Sequence, residues 1–481
     1  MKKYRCVSRV FQHKLVSLAV ASCFAAGAAL ANPTGPAVVN GTVNFHQQGN
    51  LLQITNSPNA IINWQSFSIG ASEITRFLQQ SASSAVLNRV ITQNPSAILG
   101  ALQSNGRVFL INPNGILFGA GAQIDVAGLV ASTLNLSNAD FLAGRLKFTE
   151  VPGAGSVVNQ GNVTAGAGGQ VYLVGPSDTN SGVITTPNGE VILAAGNSVE
   201  LVNPGTPNLR VEISAPDNEA RNLGSIVADA GRVGIYAGLI NHSGTIRANS
   251  AVATEDGRIV LKATKNATLE AGSLTTASGP KGGSIVVQSG DTTLVSGSVE
   301  AKGSEGKGGT VQVLGNLVGL IDNAAINASG ETGGGTVLVG GDFQGKNPEV
   351  QNAFRTYVGP DTTIKADAIQ SGDGGKVIVW ADGDTRFYGA VSARGGTQSG
   401  NGGFVEISGK DHLVFSGSVT ASAPNGQAGT VLFDPTDTHI VTADSATPNT
   451  ESSTAGGTTT FQEAGTIDAT SEILDSNIKT I

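Results

Sequence analysis

Gly340 to Asn347 reads GGDFQGKN, which has the G-x-x-x-x-G-K spacing of a phosphate-binding loop and follows a strand pattern at Thr336 to Val339. The match fails where it matters: Asn347 stands where magnesium needs Ser or Thr, and Pro348 follows at once. Lys346 is therefore expected to be a solvated loop charge, and no nucleotide is expected. The histidines His13, His46, His242, His412 and His439 lie far apart and form no zinc spacing. No G-x-S-x-G elbow occurs. Asp367, Asp373, Asp382 and Asp384 could in principle pair as general acid and base, but they alternate with glycines and are expected to be solvated turn aspartates. No catalytic residue, metal or cofactor is assigned, and the chain is not expected to be an enzyme.

A different kind of information lies in Gly106 to Gly119, GRVFLINPNGILFG. Val108 and Leu110 supply one apolar strand face, Ile116 and Phe118 another, and Asn112-Pro113-Asn114-Gly115 turns the chain between them. These four residues are the candidate functional turn. Trp64 and Trp380 could stack on sugars if exposed, but packing in the core or at a coil edge is expected for both.

The elements that must position this turn are repetitive. Gly231, Gly257, Gly283, Gly309 and Gly335 recur every 26 residues, each followed by a variable, apolar, variable, apolar pattern. Gly375, Gly403 and Gly429 carry the same pattern after an enlarged step. The apolar positions, among them Ile285 and Val287, Val311 and Val313, and Val337 and Val339, repeat with period two and exclude a helix. Ser284 to Gln288, Thr292 to Val295 and Ser298 to Ala301 make three short strands within one period. The expected fold is all-β: a parallel β-helix of about 26-residue coils with small hairpin and helix appendages outside it, roughly 17 coils if they average about 24 residues, and Ile285, Val311 and Val337 in one buried ladder. Repeat glycines are expected to serve tight turns at positive φ. Ser137 followed by Asp140 and a glycine stop predicts a short helix outside the rod, and Asn347 to Phe354 is a weaker helical candidate.

Glycine makes up 66 of 481 residues while aromatics are only 5% and charged residues 13%, which fits one repetitive β architecture better than several compact domains. Residues 1–31 carry Lys2, Lys3, Arg5, Arg9 and Lys14, then a short apolar run ending Ala29-Leu30-Ala31, and read as a secretory signal cleaved between Ala31 and Asn32. Removing it would take the formal charge from −8 to about −13 and remove both cysteines, Cys6 and Cys23. The acidic balance argues against a nucleic-acid partner. Three further spans are expected after the signal at 1–31: a β-helix domain at 32–275, its repeat extension at 276–433, and a Ser/Thr-rich segment at 434–481 that reads as incomplete.

The block from Ala60 to Phe148 resembles the haemagglutination-activity domain of two-partner secretion exoproteins, the family of filamentous haemagglutinin and the high-molecular-weight adhesins. The matching pieces are IINWQSFSIG (61–70), SAVLNRV (84–90), VFLINPNGILFG (108–119) and GLVASTLNLSNADFL (128–142). Asn56 to Asn59 departs from a second Asn-Pro-Asn that some members carry. The resemblance implies a right-handed parallel β-helix, secretion to the cell surface through the periplasm, and a partner outer-membrane transporter with periplasmic recognition domains. It also implies an adhesive rod that meets host-cell glycans or receptors, and, for some members, glycosylated asparagines; sequons occur at Asn40, Asn135, Asn162, Asn241, Asn266 and Asn327. A toxin or haemolysin delivery stalk is the alternative, and a β-helical carbohydrate-active enzyme is a further one.

Overall fold

The computed structural model describes residues 32–252 and 257–434, with the backbone of 438–441 and 471–474. The signal segment and Ala31, His13, the side chain of His439 and most of 434–481 lie outside the described residues. The chain winds as a parallel β-helix whose strands join into one 39-stranded sheet. Three ladders run its length. The first passes through Leu51–Asn56, Ile74–Leu78, Leu274–Thr276 and Ser418–Thr420. The second starts at Ala60–Trp64 and ends at Thr430–Leu432. The third includes Ile116–Phe118, Val157–Asn159, Thr292–Val295 and His412–Phe415.

Thirteen successive pairings on the second ladder give fourteen levels. This is fewer than the expected 17, because residues 133–156, 196–218 and 340–354 leave the rod between levels. Ile285, Val311 and Val337 do stack in register and are fully buried.

Two additions had no repeat to announce them. Ala37–Asn40 pairs antiparallel with Ala60–Trp64, and Val43–Gln48 pairs antiparallel with Leu51–Asn56, so hairpin strands flank the first coil. Phe45 meets Trp64 edge to face at 5.7 Å. Further on, Asn135–Leu136, Leu146–Thr149, Ser198–Val202 and Arg210–Ser214 form a separate antiparallel sheet. With the predicted helix, found at Asn138–Leu142 and capped by Ser137, this sheet covers the outward side of the second ladder. Leu87, Phe109, Val130, Tyr172 and Ile192 point outward there and are nonetheless buried. The Asn347–Phe354 helix does not form: Asn347 donates to Asp342 and accepts from the Glu349 amide, holding the segment as turns around Pro348. That loop carries Val350 onto Leu314, Leu338, Ile378 and Trp380.

The repeat glycines have a different cause from the one expected. None of Gly283, Gly309, Gly335, Gly375, Gly403 and Gly429 has positive φ. Each stacks so closely that a Cβ would overlap the carbonyl oxygen of the equivalent glycine one coil earlier. Each also donates its N–H to a buried alanine carbonyl of its own coil, as Gly309 does to Ala301 and Gly335 to Ala328, both at 2.7–2.8 Å. The preceding glycines, Gly308, Gly334, Gly374 and Gly402, face the alanine carbonyl of the next coil with equally little room. The Gly-Gly corner is thus confined from both sides.

Gly335→Ala should destabilise by about 1–3 kcal/mol from overpacking, although alanine suits its φ. Val311→Asp should cost several kcal/mol by burying an unpaired charge. Thermal melts check both; unchanged midpoints would refute the corner and inward assignments respectively.

Candidate functional site

The four sequence blocks are consecutive neighbours in space. Ala60–Trp64, Ala85–Val90, Arg107–Ile111 and Gly128–Ser132 are adjacent strands of the second ladder. Trp64 Nε1 donates to Asn88 Oδ1 at 3.0 Å, and Asn88 Nδ2 donates to the Phe109 carbonyl at 3.2 Å. Both are fully buried, so Trp64 is core. Arg89 joins the second block to the fourth, giving hydrogen bonds to the Leu136 carbonyl at 2.6 Å and Asn138 Oδ1 at 2.8 Å. Burial lowers its pKa from the ordinary arginine value. Phe109 and Phe141 meet edge to face at 5.1 Å across the rod and the helix.

Asn112, Pro113, Asn114 and Gly115 turn the chain from the second ladder to the third. Asn112 is fully buried; its Nδ2 donates to the Asn94 carbonyl and Ser96 Oγ, each at 2.9 Å, and its Oδ1 accepts from the Asn114 amide at 3.0 Å. Asn114 Nδ2 donates to the Thr92 carbonyl at 2.7 Å. Pro113 O accepts from the Gly155 amide at 2.8 Å, tying the turn to the coil above as well. Gly115 adopts φ 119°, where glycine is favoured. Both asparagine side chains are spent on the neighbouring corner. Asn59, in the divergent Asn56 to Asn59 stretch, turns a different corner, from the first ladder to the second, at φ 57°. Asn32 is buried and bonded to Asn50 and Thr75.

The other sequence candidates disperse. Lys346 is exposed and donates to Gln344. Asp367 is not a solvated turn residue but is 3% exposed, accepting from Ser392 and Arg394 where its coil corner closes. Asp373 accepts from the Asn401 amide, Asp382 from Trp380 and Asn352, and Asp384 pairs with Arg355. His46 is exposed, whereas His242 is buried at the end of a chain of side-chain amides, Asn159 to Asn180 to Asn222. Burial pushes the His242 imidazole down to about 4. Asn135 and Asn162 are exposed among the sequons. Among the described residues no group of three or more His, Cys, Asp or Glu could hold a metal ion.

Two buried acids went unnoticed because they occupy ordinary strand positions. Asp178 points inward, and neither carboxylate oxygen has a hydrogen-bond partner among the described residues. Burial pushes its carboxyl well above the usual range, against the opposing influence of the Ala194 and Gly175 amides. Glu406 lies outward but beneath the Phe343–Gly345 turn, accepting from the Gln344 amide at 3.2 Å. Burial pushes it up to about 7 against the opposing Gln344 and Ser408 hydrogen bonds. A third buried acid, Glu190, clamps the antiparallel sheet: it accepts from Tyr172 Oη at 2.6 Å, the Gly205 amide at 2.9 Å and Arg232 Nε at 2.9 Å.

A family model described as the TPS secretion domain matches residues 29–313. The chain belongs to this two-partner secretion family. The secretion domain implies a partner outer-membrane transporter of the two-partner type and export across the outer membrane. It is similar to the crystal structure of the HMW1 secretion domain from Haemophilus influenzae, at 34% identity and TM-score 0.66, covering 83% of this chain and 100% of that one. It is also similar to two heme/hemopexin-binding proteins of Haemophilus influenzae, at 35% identity over 207 residues and 42% over 93 residues. Those matches cover 41% and 19% of this chain, and the chain spans only 23% and 10% of the relatives' length.

Asp178 and Glu406 set a pH dependence. Below about pH 4 they are protonated whether folded or unfolded and contribute none. As pH rises the unfolded chain ionises while the fold retains the protons, so stability is lost: for Glu406 up to about pH 7, for Asp178 further. Asp178→Asn should therefore gain stability over the parent progressively from pH 4 to 8 in thermal melts. Parallel curves for parent and variant would refute the assignment.

Proposed function

We propose that this chain is an exoprotein whose N-terminal domain engages the periplasmic domains of its transporter as an extended chain, and whose rod then displays an adhesive, haemagglutinin-like surface. Its work is binding and folding rather than bond-making. The signal segment at 1–31 delivers it to the periplasm, where a chain without cysteines beyond that segment forms no disulfide to hold it folded. The observation that carries this reading is the stacking of all four family blocks as neighbouring strands within the matched domain. Each coil that emerges covers the open edge of the one before, so folding outside favours outward movement.

In this reading Asn112 to Gly115 serves export through folding. Its polar groups are engaged within the coils, and the folded turn offers a transporter little to read.

Asn112→Ala should cost about 1–3 kcal/mol by leaving buried groups unpaired. In cells with the cognate transporter, its secreted yield should fall together with its refolding yield in vitro. A variant that refolds and melts like the parent yet is not secreted would overturn this and favour direct recognition of the turn. Secretion of the parent without any transporter would overturn the export route itself.

A further inference from the structure

We infer that Tyr357 and Tyr388 form an oxidative cross-linking site, at which an oxidant of the peroxidase class joins two neighbouring levels of the rod through a dityrosine bond. The inference asks only that the folded rod meet such an oxidant, and it does not depend on the adhesive reading.

The chain lacks the side chains that ordinarily take oxidation first. Beyond residue 31 it has no cysteine and no methionine, since Met1, Cys6 and Cys23 all precede that point. Without sulfur, the indole and phenol rings yield an electron most readily. Trp64 and Trp380 are buried, and so are Tyr172 and Tyr236. The remaining tyrosine of residues 1–31 is Tyr4. This leaves Tyr357, which is 39% exposed, and Tyr388, which is half-buried. An oxidant too large to enter the rod therefore meets these two rings.

The fold sets them side by side. Tyr357 is outward on Arg355–Val358, and that strand pairs in parallel with Asp384–Phe387 one level on. Tyr388 follows the second strand directly and gives its N–H to the Val358 carbonyl at 2.8 Å. The ring centroids lie 5.8 Å apart with 54° between the planes. A biaryl bond is itself twisted, so this tilt suits coupling better than flat stacking would. Neither hydroxyl has a hydrogen-bond partner among the described residues, and the rings close the remaining gap by small side-chain rotations. Gly359 places no side chain against Tyr357 Cε1, one of the ring carbons ortho to the hydroxyl.

Each phenol gives up its hydroxyl proton and one electron, and the two phenoxyl radicals couple through ortho carbons to form one C–C bond. Each ring then loses the proton of that ortho carbon and regains one on oxygen. In sum the pair releases two protons and two electrons, and hydrogen peroxide takes up both to become two waters. The product closes a loop through two levels and restricts the unfolded chain as a disulfide would. It also forms only once the levels have stacked, because stacking is what brings the rings together.

The test treats the full secreted chain, at dilute concentration, with a peroxidase and hydrogen peroxide. Dityrosine fluorescence is expected, with an intact mass lower by two hydrogen atoms and one cross-linked peptide pair that holds Tyr357 and Tyr388. The linked chain should melt above the untreated parent. Tyr357→Phe and Tyr388→Phe keep the rings and should each abolish the fluorescence while melting like the untreated parent. Absence of a link within the chain, links only between chains, or a link through Tyr172 or Tyr236 would each overturn the site. An equal yield of the same internal link from chain unfolded in denaturant would overturn the claim that the fold creates it.

Discussion

A parallel strand exposes unpaired N–H and C=O groups on both edges until another strand lies against each. In this rod that requirement recurs at every level, and from Gly282-Gly283 to Gly402-Gly403 the levels meet closely at a Gly-Gly corner. There the second glycine sits against the carbonyl of the coil before, and the first against an alanine carbonyl of the coil after. The confinement explains why glycine recurs where backbone dihedrals do not demand it. It also brings the buried ladder from Ile285 to Val405 into register, because the corner and the strand that follows it move together.

Such a stack is indifferent to what lies on its outside, and the chain uses the outside differently along its length. Toward the N-terminus an antiparallel sheet and a short helix cover the outward apolar side chains, clamped by Arg89 and Glu190. Between the levels at Thr336 and Lys376 the loop carrying Val350 performs a similar service, with Glu406 held under it. On the third ladder no added element covers the outward side chains, and Leu294, Leu317, Tyr357 and Arg386 line a surface hollow there.

The regular parts of this arrangement were legible in the residues. The 26-residue spacing and the alternation after each glycine predicted the strands at Ser284–Ser289, Thr292–Val295 and Ser298–Glu300 almost to the residue, and Ser137 with Asp140 located the helix. The reason for the glycines was misjudged, since positive φ is a property of one residue while close stacking belongs to a pair of coils. Hairpin appendages were expected, but where the antiparallel strands lie escaped notice because they are short, lie outside the repeat and pair across insertions, as Leu146–Thr149 does with Ser198–Val202. Asp178 and Glu406 escaped for a related reason: inwardness and cover come from neighbours distant in sequence. The turn at Asn112 was visible, but not that its side chain would be consumed by Asn94 and Ser96 of the previous corner.

The central claim is that the levels stack only after the chain has crossed the outer membrane. Thr310 and Thr336 face outward on adjacent levels in direct register, and the chain's own cysteines, Cys6 and Cys23, both lie in the signal segment. Neighbouring parallel strands place such a pair within reach of a disulfide. A Thr310→Cys, Thr336→Cys double variant expressed with the transporter measures the order of events directly. The account predicts secretion at the parental level as a dithiol or with the disulfide formed only outside, with no disulfide-linked chain in the periplasm. A periplasmic chain already carrying the 310–336 disulfide and still exported at the parental level would contradict it.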